Sequence, residues 1–311
     1  MAKAIDQGRE CYSDTRVGRF CLKPAAFQYH RPNTVDETLS LLKECGEDGK
    51  VLAGGQSLMP LMNFRLAQPA HLIDINYIEG LDYVRRENGT LKIGCLARQS
   101  QLLGDSLVRQ RCPLLADALV YVGHEQTRNR GTFCGSLAHA DPAAELPAVL
   151  LALDGSVTVG NSAGKREIAA RDFFHSYLTT ALASDELVLE ASVPEQPARA
   201  GSSFVEFARR FGDFAIVGVA VVLVPDQERI ADASIALTGV GDKPWRERKL
   251  EESLIGKPAS PELFKRAAGE VADKIGPNSD IHASESYRRS LAGVLTRRAL
   301  AEAWNQARQE G

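Results

Sequence analysis

The sequence predicts an α+β fold, and three observations carry that prediction. Strand-like and helix-like segments come in blocks, with no regular βαβ alternation along the 311 residues. The second half holds two long apolar, β-leaning runs, "FAIVGVAVVLVP" and "ADASIALTGV", followed by helical patterns. Between the halves, "EQPARAGSS" (195–203) has the Pro, Gly and Ser content of a linker.

Each element has its own signal. Thr34 and Glu37 stand at capping-box spacing ahead of "VDETLSLLKEC", where Val35, Leu39 and Leu42 recur at helical intervals until Gly46 ends the helix. "KVLAGG" reads as a buried strand entering a glycine turn, and "HLIDI" (71–75) as a second strand. "LDYVRRENGTLKIGCLA" is a hairpin about Asn88-Gly89, a pair suited to positive φ at both turn positions. Helical spacing follows over about 100–121, split at Pro113. Asp141 is placed to cap a helix with Pro142 at its first position, continuing through "AAELPAVLLAL". "SVTVG" and "LVLEASVP" are strands around a turn-rich middle. Past the linker, Ser260-Pro261 starts one helix, and Ser284 opens a long amphipathic one ending near Ala307.

Composition narrows the function. Apolar residues make up 44% and charged ones 25%, the balance of a globular protein with a sizeable core. A net charge of −3 with both signs interspersed leaves no footprint for nucleic acid or an anionic membrane. No apolar run approaches the ~20 residues of a membrane span. The first 22 residues lack the apolar centre of a secretory leader and read as an extension, so the expected compartment is the cytoplasm. Six cysteines are scattered without C-x-x-C spacing. They read as small core residues, and neither a metal site nor an iron–sulfur cluster is expected within this chain.

Two glycine-bearing stretches are the chemistry candidates. "VLAGGQSLMP" (51–60) and "RGTFCGSLAHADP" (130–142) fit neither a G-x-G-x-x-G fingerprint nor a Walker loop. Two readings stay open: ordinary tight turns, or two loops whose backbone N–H groups together cradle a diphosphate. In the second reading the amides of Gly54, Gly55, Gln56 and Ser57 face Thr132, Gly135 and Ser136 across the anion. His139, Asp141 and Glu145 invite a metal reading, but a capping role explains Asp141 and no histidine stands at i+4. A Ser136–His139–Asp141 triad fails because local neighbours on a turn rarely converge and no nucleophile elbow is present. Glu145 reads either as an acceptor for a sugar hydroxyl or as a solvated first-turn acid. "RRFGDFAIV" (209–217) reads as a turn closing on a core, or as a loop whose aromatics border a planar ligand.

Taken together, "LAGGQSLMPLMNFRLAQPAHLIDINYIEGL", "TRNRGTFCGSLAHADPAAELPAVLLALDGSV" and "FVEFARRFGDFAIVGVAVVL" resemble the FAD-binding medium subunit of molybdenum hydroxylases. That family includes the medium chains of carbon monoxide, nicotine and caffeine dehydrogenases and the flavin segment of xanthine dehydrogenase. The resemblance runs in register from about Lys23 to the C-terminal helix. It implies an extension at 1–22, then an FAD-binding region of the p-cresol methylhydroxylase type at 23–198, with subdomains of about 23–80 and 81–198. A C-terminal antiparallel sheet packed by helices follows at 199–311. It also implies that FAD is held by Leu52, Ala53, Gly54, Gly55, Gln56, Ser57 and Leu58 on one loop and by Thr132, Cys134, Gly135 and Ser136 on the other. Ile75, Gly123, Glu145, Val188, Leu189 and Asp213 complete the set. Three positions depart from the family form: Gln56 stands where some members have histidine, Cys134 for a glycine and Ser136 for an asparagine in T-x-G-G-N. A positive φ at Cys134 would cost ~1 kcal/mol or more.

By the same resemblance the chain is an electron-transferring oxidoreductase subunit that supplies no catalytic acid or base. Its expected partners are a small iron–sulfur subunit and a large subunit with the molybdenum cofactor, in a dimer of heterotrimers. The rival readings are a self-sufficient FAD-dependent oxidase or reductase, and a flavin-free scaffold.

Overall fold

Residues 24–309 are described by a computed structural model; the N-terminal extension, with Cys11 and Cys21, lies outside the described residues. The described residues begin with strand β1 (Gln28–His30), helix α1 (Val35–Cys45), strand β2 (Gly49–Leu52), helix α2 (Leu58–Asn63) and strand β3 (His71–Asp74). Thr34 caps α1 through the Glu37 amide, while the Glu37 carboxylate reaches the Asn33 amide, one residue short of a full capping box. Gly46, at φ 53°, ends the helix as the sequence predicts. The three strands pair in parallel in the order β1-β3-β2. A single parallel unit of this kind is compatible with the absence of regular βαβ alternation along the chain. The amphipathic α1, burying Leu39 and Leu42, is the crossover that parallel pairing needs.

Strands β4 (Val84–Glu87) and β5 (Thr90–Gly94) form the hairpin, with Asn88 at φ 48° and Gly89 at φ 75°. Helices α3 (Gln99–Gly104), α4 (Ser106–Arg111), α5 (Pro113–Leu119), α6 (Glu125–Arg130), α7 (Phe133–His139) and α8 (Glu145–Ala152) follow. Next come β6 (Ser156–Asn161), β7 (Gly164–Ala169), the short α9 (Ala170–Phe173), the ribbon β8 (Phe174–Ser176) and β9 (Thr179–Thr180), and β10 (Leu187–Pro194). A five-stranded sheet of order β4-β5-β10-β6-β7 results, antiparallel throughout.

The helix expected to start at Pro142 starts at Glu145 instead. Thr238 donates to the carbonyls of Pro142 (2.7 Å) and Ala144 (2.8 Å), and the Gly239 amide also bonds Pro142. Those carbonyls are therefore spoken for, and Asp141 closes a local turn on the Ala143 amide rather than capping a helix.

The C-terminal part comprises β11 (Gly201–Phe207), β12 (Val217–Asp226), β13 (Arg229–Thr238), β14 (Trp245–Arg246) and helices α10 (Arg248–Glu252), α11 (Pro261–Lys274) and α12 (Glu285–Gln309). The strands pair antiparallel in chain order. The "linker" is shorter than its composition suggests, because Gly201–Ser203 is buried strand. A side chain at Gly201 would run into the Ala303 carbonyl of α12, and Gln306 and Glu302 bond Ser202 and Ser203.

The apolar run of β12 is explained by its two faces. Ala220 and Val222 join the core of the N-terminal part, whereas Val219, Val221 and Leu223 face α11 and α12. Every residue of α8 is buried where it packs on β12 and β13. No helix among the described residues is long and apolar enough to cross a membrane.

Candidate functional site

A cavity of about 900 Å³ opens between the two glycine stretches, at the upper end of the size range of cofactor clefts. All of the sequence-predicted site residues line it except Leu52 and Leu189. Leu52 lies behind the first loop, its Cδ1 2.9 Å from where a Gly55 side chain would begin. Leu189 is the extra residue of a bulge in β10 and packs toward Gly160 on β6.

The first loop is bare for a reason the sequence does not state. A Cβ at Gly54 would run into the Arg130 carbonyl and come within 2.7 Å of Gly131 Cα. Gly54 thus lets the two glycine stretches touch backbone to backbone. Gly55 is needed for its positive φ of 70°. Among the described residues, the N–H groups of Gly54, Gly55, Gln56, Ser57 and Leu58 donate to no acceptor, so five consecutive donors stand at the cavity wall. The Gln56 side chain folds back onto the Gly54 carbonyl (3.1 Å), leaving the amides clear.

The second stretch is the start of α7 rather than a bend. Thr132 caps it, its hydroxyl accepting from the Gly135 amide at 3.0 Å. Those two groups, read from the sequence as facing an anion, face each other. Cys134 has ordinary helical geometry and no positive φ, so the feared strain is absent; its sulfur is buried, 3.7 Å from the Ile93 carbonyl.

The residues that hold the loops together are invisible to motif reading. Asp74, bonded by the Tyr29 hydroxyl at 2.7 Å, accepts from the Asn76 amide and side chain. Asn76 Nδ2 donates to the Ala53 carbonyl (2.8 Å), and Asn76 Oδ1 accepts from Arg98 (2.6 Å). Arg98 also donates to the Arg130 carbonyl. One Asn–Arg pair therefore satisfies a carbonyl of each loop and fixes their spacing. The "INY" that follows β3 was the available signal, but nothing local distinguishes it from an ordinary turn.

The cavity lining also carries the charge chemistry. Glu145, at the first position of α8, is buried, and among the described residues no side chain bonds its carboxylate. Burial pushes its pKa up to about 7, against the pull of its own amide. Glu206 on β11 sits behind it; burial and the Glu145 charge push Glu206 up to about 9. Lys50, which the sequence reading passed over, lines the cavity near the first loop. Gly123, Gly212, Asp213 and Phe214 close one side. A side chain at Gly212 would strike the His124 ring, so the 209–214 loop seats directly on the 123–124 turn. Phe214 lines the cavity and Phe211 does not. His139, Asp141 and Glu145 form no metal-binding group; among the described residues the one such cluster lies elsewhere.

A single carboxyl with this environment makes a signed prediction. In the cofactor-free protein the folded pKa of Glu145, about 7, exceeds the ordinary 4.5. The stability linked to its proton is full below about 4.5 and is lost as pH rises through about 7. Cofactor-free Glu145→Gln should therefore be more stable than the parent at pH 8, by about 1–3 kcal/mol, with the gap closing toward pH 4.5. Urea melts at both pH values check it.

Two family models match the chain: the FAD binding domain in molybdopterin dehydrogenase over residues 25–196, and the CO dehydrogenase flavoprotein C-terminal domain over 202–303. The chain is 39% identical to the 6-hydroxypseudooxynicotine dehydrogenase complex subunit alpha of Paenarthrobacter nicotinovorans, over 92% of this chain and 97% of that protein. It is 41% identical to the caffeine dehydrogenase subunit beta of Pseudomonas sp. (strain CBB1), over 91% and 96%. Among solved structures, carbon monoxide dehydrogenase from Hydrogenophaga pseudoflava superposes with a TM-score of 0.89 at 36% identity, covering 91% of this chain and 99% of that one. With both halves matched and the cavity lying where the glycine loops meet, the chain belongs to the FAD-binding medium-subunit family of the molybdenum hydroxylases, an oxidoreductase family.

Proposed function

We propose that this chain passes electrons from iron–sulfur centres of a partner subunit, through FAD, to an external acceptor. The observation that carries the site assignment is the row of five unpartnered amides at Gly54–Leu58 lining a cavity that the buried Glu145 also lines. Such amides suit a pyrophosphate, which they bind without a dedicated lysine. A buried carboxylate lacking a side-chain partner suits a sugar or ribityl hydroxyl. The residues thus fit FAD, which when bound supplies the ability to take up and release electrons singly or in pairs.

In this reading the amides of Gly54–Leu58 hold the diphosphate, while Thr132, Cys134, Gly135 and Ser136 line the cavity beside it. Leu52 supports the loop from behind. Ile75, Gly123, Val188 and the Gly212–Phe214 loop enclose the rest and exclude water, while Leu189 contributes through the bulge that directs Val188. Glu145 accepts a hydrogen bond from a hydroxyl of the ligand. The chain needs no acid or base of its own, and the absence of a dedicated pair in the sequence favours this over a self-sufficient oxidase. The organisation is a flavin-binding part at 23–198, with subdomains of about 23–80 and 81–198, and a C-terminal part at 199–311. The partners are a small iron–sulfur subunit and a large molybdenum subunit, as a dimer of heterotrimers in the cytoplasm.

Purification of the tagged chain alone and from its native host tests this. The isolated chain should carry about one FAD per chain and oxidise no substrate by itself. The native complex should contain iron–sulfur and molybdenum proteins, and its substrate should bleach the flavin absorption. Substrate turnover by the isolated chain would overturn the reading in favour of the oxidase, and a colourless complex in favour of the scaffold.

A further inference from the structure

We propose that His30, Cys45 and His71 form a binding site for one divalent transition-metal ion of the zinc class, outside the flavin loops. Their ligand atoms lie within 4.8 Å of one another, and no other group of three His, Cys, Asp or Glu residues among the described ones meets that condition. His30 Nε2 and His71 Nδ1 are 3.0 Å apart. A tetrahedral ion with metal–nitrogen bonds of about 2.05 Å and metal–sulfur bonds of about 2.3 Å needs N···N near 3.3 Å and N···S near 3.6 Å. The two rings are already close to that separation, and the thiol must come closer by about 1.2 Å at most. Two imidazoles and a thiolate are ligands that zinc prefers over calcium or magnesium. All three residues are half-buried, so an ion has a route in and a fourth position for water.

The fold builds the cluster deliberately from three separate segments. In the parallel register His30 lies opposite Ile73, so it shares a face with His71, two residues back. Gly49 on β2 lies directly opposite His71 on that same face. A Cβ at Gly49 would come within 2.9 Å of Cys45 Cβ. Cys45, at the last position of α1, therefore occupies the space that the missing Gly49 side chain leaves beside His71.

Without metal, the two rings share a hydrogen bond, one nitrogen protonated and the other not. On binding, the donor ring moves its proton to its other nitrogen, so both facing lone pairs bind the ion. The Cys45 thiol gives its proton to solvent, and no oxidant or reductant takes part. The ion would clip the three-residue strand β1 to the end of α1 and to β3.

Cobalt(II) titration of the full chain, stripped by a chelator and kept reduced, tests this. One equivalent should bind, with thiolate-to-cobalt absorption in the near ultraviolet and tetrahedral bands in the visible, and zinc should displace it. Cys45→Ser should abolish the thiolate band. His30→Ala and His71→Ala should each weaken binding at least about 10-fold, as even loss of a ligand's hydrogen-bond partner does. Gly49→Ala keeps all three ligands but displaces Cys45, and should weaken binding as well. A Cys11→Ser/Cys21→Ser double variant should bind like the parent. The other described thiols are buried, those of Cys95 and Cys112 pushed up to about 12, and are poor competitors. Absence of the thiolate band in the parent at millimolar cobalt would overturn the proposal. So would a band that survives Cys45→Ser but disappears in the Cys11→Ser/Cys21→Ser variant.

Discussion

Gly54→Val protein is expected to purify folded and without colour. The new branched side chain would meet the Arg130 carbonyl and Gly131 Cα, both backbone and both braced. Neither can yield as a flexible side chain would, so the 53–58 loop must move instead. Overpacking of this kind costs about 1–3 kcal/mol, which the fold tolerates. The amides, however, lose their common direction, and FAD content per chain should fall at least about 10-fold. Flavin absorption after gel filtration, beside circular dichroism, reads both effects. Folded variant retaining one FAD per chain would sink the loop assignment. Gly55→Ala is the milder control: it adds about 1 kcal/mol of backbone strain at φ 70°, and its Cβ meets the flexible side chains of Leu52 and Met59 rather than backbone.

The second large effect concerns stability. Arg246→Ala should destabilise the protein by about 3–5 kcal/mol. Arg246 is 5% exposed and its partner Glu251 3%. Their contact is bidentate, at 2.7 and 3.1 Å. The same guanidinium donates to the carbonyls of Leu151 and Ala152 at the end of α8 and to Asp154. Truncation would take from a buried carboxylate its bidentate partner and from two helix-end carbonyls one donor each; Ser234 on Ala152, the Asp154 amide on Leu151 and the Ile235 amide on Glu251 remain. Burial still holds Glu251 above the usual carboxylate range despite the arginine beside it, which marks the pair as costly to maintain. Joint replacement, Arg246→Met with Glu251→Leu, should therefore recover much of the loss. Chemical denaturation of the three proteins provides the comparison, and a loss below 1 kcal/mol for the single variant would refute the argument.

What the sequence made legible follows from how local each signal is. Thr34, Gly46, Asn88-Gly89 and Ser260-Pro261 mark boundaries through their own backbone preferences, and each does so in the structure. Asp141 and Pro142 misled because Thr238, nearly a hundred residues away, claims the carbonyls a helix would have used. The same distance hides Asn76 and Arg98: their role exists only once Ala53 and Arg130 are side by side. The glycines were seen, but for an incomplete reason. Gly54 admits a neighbouring backbone, a requirement no single segment can announce. The thiol of Cys45 was read as core filler because its two histidines sit 15 residues before it and 26 after it.

The central strand β12, apolar on both faces, ties the thermal fate of the two halves together. Since Ala220 and Val222 serve one interior and Val219, Val221 and Leu223 the other, neither half can melt without stripping a wall from its neighbour. Calorimetry of such a molecule would register a single endotherm, and fragments severed near residue 198 would each carry a sticky, unmatched surface into solution.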